Sequence, residues 1–177
     1  MVPCSTNRFV TELPSLVRIL LLTPMAWLLM ACSFLNPPPK DAALIQVFNA
    51  NRETFETLVS MICEDGYAAI SMDPAWTRPA NVPETKKQSY YGEFRKIGVS
   101  QVQASRNSSD GQCQIQLSVW AVGLGGDGEY KDYRFRPTIT KEDFVVDDLD
   151  KVKAGNEIRF YYREIAADWY ISYRIWP

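Results

Sequence analysis

Between Asp41 and about Glu64, Leu44, Phe48, Phe55, Leu58, Val59 and Ile62 recur at helical spacing, which predicts one amphipathic helix. Asp41 suits its N-terminal cap and Asp65-Gly66 its stop, and Asn49 and Asn51 leave open a division into two shorter helices. The pattern then changes period. Cys113, Ile115, Leu117, Val119 and Ala121 alternate with Gln112, Gln114, Gln116, Ser118 and Trp120, the clearest period of two in the chain. Val99–Arg106 reads as the strand before it, with Asn107–Gly111 as a hairpin loop. Tyr130–Arg136, a segment marked by Ile158, Phe160 and Tyr162, and a segment through Trp169, Ile171, Tyr173 and Ile175 complete the series. Tyr67–Met72 is a weaker strand candidate, and Tyr90–Ile97 a short helix after the proline-bearing stretch Asp73–Ser89. Pro137–Asn156 is acidic, with room for a helical turn or more.

The expected fold is two-layer α+β: an antiparallel β-meander of about five strands packed on an N-terminal helix. In that register the residues opposite the core pattern are conspicuous. Trp120, Arg134, Arg136, Arg159, Tyr161, Arg163, Tyr170, Arg174 and Trp176 all fall on one outer face. Arginine, tyrosine and tryptophan combine large area with directed hydrogen bonds and are enriched at binding hot spots. This face, with Trp76 on its own loop, is the candidate binding surface. A solvated sheet face with arginines laid over rings is the plain alternative, and a bulge would move residues across it.

Composition narrows the chemistry. The chain has 46% hydrophobic and 23% charged residues and no histidine. Without histidine the commonest general base, the commonest metal ligand and any Ser-His or Cys-His pair are missing. A net charge of −2 argues against a nucleic-acid partner.

Gly123-x-Gly125-x-x-Gly128 matches the letters of a dinucleotide fingerprint, but the chemistry needs a helix next, and Glu129–Arg136 alternates like a strand. A glycine-rich hairpin is the expectation. Glu142, Asp143, Asp147, Asp148 and Asp150 cluster without the alternating ligands and glycine of a calcium loop, so a solvated acidic loop is expected, with no metal and no cofactor. Glu93, Asp132, Glu157, Glu164 and Asp168 could each serve a two-carboxylate glycoside hydrolase, yet nothing in the sequence singles out a pair.

The N-terminal segment carries the one family resemblance. Arg18 precedes an uncharged, mostly apolar run of 12 residues, Ile19–Met30, then Ala31 and Cys32. That run is the length of a signal-peptide core and short for a membrane span. Leu29-Met30-Ala31-Cys32 resembles the lipobox of bacterial lipoproteins. The resemblance implies a signal peptide over 1–31, lipidation with palmitate-type chains at Cys32, a proline-rich tether over 32–40 and a single domain over 41–177. Ser33 resembles lipoproteins sorted to the outer membrane, so the domain is expected to face the periplasm, held by its lipid.

Removing Arg8, Arg18 and Glu12 with the leader leaves 17 basic and 20 acidic residues in the remaining 146. Of the four cysteines, the resemblance has Cys4 leave with the leader and Cys32 take lipid. Cys63 and Cys113 would then meet in an oxidising compartment, where a disulfide is favoured and contributes roughly 4 kcal/mol. The expected function is a non-enzymatic, envelope-anchored binding module for a partner protein or an anionic envelope polymer. A glycan-active enzyme and a purely structural lipoprotein are the alternatives.

Overall fold

The computed structural model describes residues 37–123, 128–153 and 157–176; the leader and Cys32 lie outside them. The apolar helical pattern forms two helices, α1 (Asp41–Ala50) and α2 (Arg52–Asp65). The break falls at Asn51, whose side chain donates to the Val47 carbonyl oxygen at 2.9 Å and draws the end of α1 into a cap. α2 stops at Gly66, which takes the left-handed conformation that glycine adopts without penalty. The third helix, α3 (Glu84–Ile97), is longer than its apolar pattern suggested. It starts directly after Pro83, a residue that cannot extend a helix backwards, and its first turn is polar and exposed.

Seven strands form one sheet: β1 (Ala69–Ser71), β2 (Gln101–Arg106), β3 (Cys113–Val122), β4 (Gly128–Phe135), β5 (Phe144–Val145), β6 (Arg159–Ala166) and β7 (Trp169–Trp176). Their order is β1-β2-β3-β4-β7-β6-β5. The expectation of about five antiparallel strands on one N-terminal helix is therefore corrected. β1 is a full member, and β5 adds a parallel pair with β6, which makes the sheet mixed. The helical layer also includes α3, inserted between β1 and β2. β5 has only two residues, too few for a period to register, and lies inside the segment read as an acidic loop.

Helices and sheet share one core. Phe48, Phe55, Leu58, Ile62, Tyr90 and Phe94 meet Ile70, Val102, Leu117, Tyr133 and Ile171, all fully buried. At its centre Phe48 and Phe55 pack with Tyr133 and Trp169 at ring separations of 4.7–6.4 Å. The disulfide joins Cys63 in the last turn of α2 to Cys113 at the start of β3, as expected, with their Cα atoms 6.0 Å apart.

Gly123–Gly128 joins two antiparallel neighbours rather than a strand to a helix. Gly123 has φ 149°, and a Cβ on Gly128 would collide with the Val122 carbonyl oxygen, so both glycines follow from the tight reversal. Among the described residues no helix is long and apolar enough to cross a membrane.

Candidate functional site

Strand parity decides which side chains share a face, and two bulges reset it. Ser118 pairs with Asp132, but Trp120 pairs with Lys131, so Val119 is the inserted residue. Trp120 is thereby turned onto the helix side, where it is 8% accessible in the core. On β6, Glu164 pairs with Tyr170 and Ala166 with Trp169, leaving Ile165 as the insertion. Without it Arg163 would stand opposite Ser172. With it Arg163 stands opposite Ile171, so Arg159, Tyr161 and Arg163 face the helix side. The expected face of five arginines and four aromatic rings is corrected accordingly.

Arg163 donates to Asp41 at 2.8 Å, and Arg159 pairs with Glu157 and lies 5.3 Å over the Phe144 ring, which also stacks on Tyr161. Arg136 adopts a left-handed φ of 49° just past β4 and pairs with Asp168 at 2.9 Å. Trp76 is exposed on a 3-10 turn, Pro74–Trp76. Of the predicted set, Arg134, Tyr170, Arg174 and Trp176 remain together on the outer face.

Their neighbours there are residues that pattern reading assigned elsewhere or passed over. One cross-strand row runs Ser118–Asp132–Ser172–Tyr162, and the adjoining row Gln103–Gln116–Arg134–Tyr170–Glu164. Further along, Arg174 stands between Tyr130 and Phe160, its guanidinium 4.3 Å and 5.9 Å from their ring centroids. The chain leaving β4 for β5 passes on this side. Gln114 donates to the Thr138 hydroxyl at 2.7 Å, and the Asp143 charge acts on Tyr162.

Beneath this cover lies a cavity of about 260 Å³ whose walls include Gln103, Gln114, Gln116, Arg134, Thr138 and Tyr162. That is just below the range of about 300–1,000 Å³ typical of drug-sized ligands, and suits a small polar one.

The electrostatics are unusual for a sheet face. Asp132 is 1% accessible, accepting from Gln116 at 2.9 Å and from Arg134 at a long 3.4 Å. Burial pushes its carboxyl above the ordinary carboxylate range, outweighing the opposing pull of Arg134, Arg174, Gln116 and Ser118. Burial likewise lowers the Arg134 guanidinium, against the pull of Asp132. The one other hydrogen bond of Arg134 goes to the Ser172 hydroxyl at 3.3 Å, and the Arg174 Nε is buried without a partner.

A second polar cluster lies on the opposite side. Lys131, 2% accessible, contacts Asp41 at 2.7 Å, Asp150 at 3.0 Å and the Pro39 carbonyl at 2.7 Å. The Asp41 carboxylate also accepts from the Leu149 N–H, and Asp150 accepts from the Asp41 N–H. Burial pushes the Asp41 carboxyl up, but Lys131, Arg163 and the Leu149 N–H together bring it below the ordinary value. Asp41, Asp148 and Asp150 have oxygens within 4.8 Å of one another, the spacing a cation would need. Lys131, Arg163 and Lys151 already pair with these three carboxylates, so the acidic segment is tied into the fold at this point while Glu142, Asp147 and Asp150 stay exposed. No family model, curated protein or solved structure matches this chain.

Proposed function

We propose that this protein is a lipid-anchored binding module of the bacterial envelope, working through the polar cavity on the outer sheet face. The observation that carries the reading is a mismatch between burial and bonding. Among the described residues Arg134, with 19% of its side chain accessible, makes two long hydrogen bonds beside the buried Asp132, and the neighbouring Arg174 Nε is buried without a partner. Buried polar groups are normally satisfied, and those that are not point to a missing partner or a functional site.

The address rests on Leu29-Met30-Ala31-Cys32 after an apolar run. The prolines at 37–39 lead directly into the Lys131 cluster, which would hold the domain firmly at the end of its tether. A glycan hydrolase would need a second carboxylate at the cavity, and its lining includes none.

Two assays test the reading. Labelled palmitate should enter the full chain and not its Cys32→Ala form; equal labelling removes the anchor. Gln103 lines the cavity, is exposed, and its side chain makes no hydrogen bond among the described residues, so Gln103→Trp fills the space without removing a side-chain hydrogen bond. Detergent-solubilised wild type should co-sediment with an insoluble envelope fraction, and Gln103→Trp should not. Equal sedimentation of both would remove the cavity from the function.

A further inference from the structure

We propose that the outer-face cavity binds a carboxylate-bearing sugar, such as a uronic acid unit of an anionic polysaccharide, with Arg134 taking the carboxylate and Tyr162 a ring hydroxyl. This rests on the reading of the protein as a binding module and names its ligand.

Tyr162 provides the first argument. It is 6% accessible, lines the cavity, and its hydroxyl makes no hydrogen bond among the described residues. β6 lies two strands away from β4, roughly 9–10 Å at ordinary strand spacing. Only the outer end of the tyrosine can therefore reach a cavity walled by Arg134 and Gln116. The small Ser172 in its own row leaves the path open, and Tyr170 supports the ring edge-on at a centroid distance of 6.4 Å. A hydroxyl on a packed ring and directed at a cavity is a preorganised hydrogen-bonding group awaiting a ligand.

Charge selects the ligand class. Arg134 and Arg174 stand beside the single buried carboxyl of Asp132, and no acidic residue is among those lining the cavity. An anion is favoured there, and the planar fork of Arg134 matches a planar, two-oxygen anion. An arginine offers five N–H donors in a planar fork, and Arg134 commits two of them, both to bonds longer than 3.2 Å. The remaining donors match the two oxygens of a carboxylate.

The rest of the lining selects for hydroxyls. Gln103, Gln114 and Gln116 each present an amide that donates and accepts, and Ser105 and Thr138 add hydroxyls. Ala68, Ala104 and Pro137 supply the apolar contact a sugar's C–H groups require. The volume fits one ring, and the open side lets a chain continue past it.

The test is calorimetric titration of the full chain in detergent with glucuronate, glucose and inorganic phosphate. Glucuronate should bind saturably at one site, at least tenfold tighter than glucose or phosphate. Tyr162→Phe removes only a hydroxyl without a partner, so it should leave the melting temperature in place and weaken glucuronate binding by roughly two- to tenfold. Arg134→Gln, if folded by its melting curve, should reduce glucuronate to the affinity of glucose.

Equal affinity for glucose and glucuronate, tighter binding of phosphate, or unchanged affinity in Tyr162→Phe would each overturn the assignment. If glucuronate does not bind but wild type still sediments with envelope material and Gln103→Trp does not, the sugar assignment falls and the binding module stands. If neither experiment shows binding, both fall. A protein as the component retained through the cavity would likewise overturn the sugar.

Discussion

Lys131 and Asp132 are adjacent in the chain, equally buried, and point to opposite faces of one strand, where they meet opposite treatment. Lys131 donates to Asp150 at 3.0 Å and to the Pro39 carbonyl at 2.7 Å and is ion-paired with Asp41 at 2.7 Å. Arg163 supplies a second cation, although Asp41 Oδ1 itself accepts no hydrogen bond among the described residues. Asp132 accepts from Gln116 and Ser118 and, at a long 3.4 Å, from Arg134, and has a neighbour in Arg174 whose Nε is buried without a partner. The comparison separates two uses of buried polarity. The first cluster is closed and ties the start of α1 to β4, β6 and the turn at Leu149–Lys151. The second is open: Arg134 lines a cavity and keeps donors uncommitted among the described residues.

The largest expected effect breaks the closed cluster. Lys131→Ala strands Asp41 and Asp150 without their buried cation and should lower unfolding free energy by about 3–5 kcal/mol, read by urea denaturation. A loss no larger than that of a surface substitution would mean that the cluster is not closed. Next in size, removing both cysteines of the Cys63–Cys113 bond should cost about 4 kcal/mol or less under oxidising conditions. It should leave cavity binding intact, because the bond ties α2 to the start of β3 and holds neither cluster directly. Lost binding in a folded double variant would link the two regions.

Acid distinguishes the faces by sign. The folded carboxyl of Asp41 lies below its unfolded value, so its stabilisation is present above the unfolded value and is lost as pH falls through the folded one. Asp132 is the reverse: its folded carboxyl lies above the unfolded value, so its cost is felt at neutral pH and relieved as pH falls through the raised value. Wild type should therefore gain on Asp132→Asn, and lose its advantage over Asp41→Asn, as the solution is acidified. Melting curves of the three proteins across the acid range check both slopes, and parallel slopes would erase the contrast. The smallest effect is on Tyr162→Phe, whose stability should stay within about 0.5 kcal/mol of wild type. A larger loss would show that the hydroxyl has a structural partner and is not held free for a ligand.

Much of this architecture was legible. The period-two run at Cys113–Leu117, the antiparallel pairing of β3 with β4 and the alternation of β7 form as read, and so does the Cys63–Cys113 bond. The candidate face was only half legible, for one physical reason used twice. A bulge adds a residue without changing local composition, so neither Val119 nor Ile165 announces itself. Each reverses the parity of everything beyond it, taking Trp120, Arg159, Tyr161 and Arg163 away from the outer face and bringing Tyr162 and Phe160 onto it. Asp132 was noted in the sequence only as one carboxylate among several. Its burial depends on rows of side chains from three other strands and on the passing segment after Pro137.

Local pattern thus determined which segments are helix or strand, because the spacing of apolar residues along a few turns or pleats needs no distant partner. It also determined the chemistry on offer: no histidine, many arginines and rings, and a leader resembling a lipobox. Tertiary structure alone decided which of those side chains meet, because face is a property of pairing rather than of a single strand. One inserted residue opposite a neighbouring strand turned a predicted row of exposed arginines into one closed ion cluster and one open polar cavity.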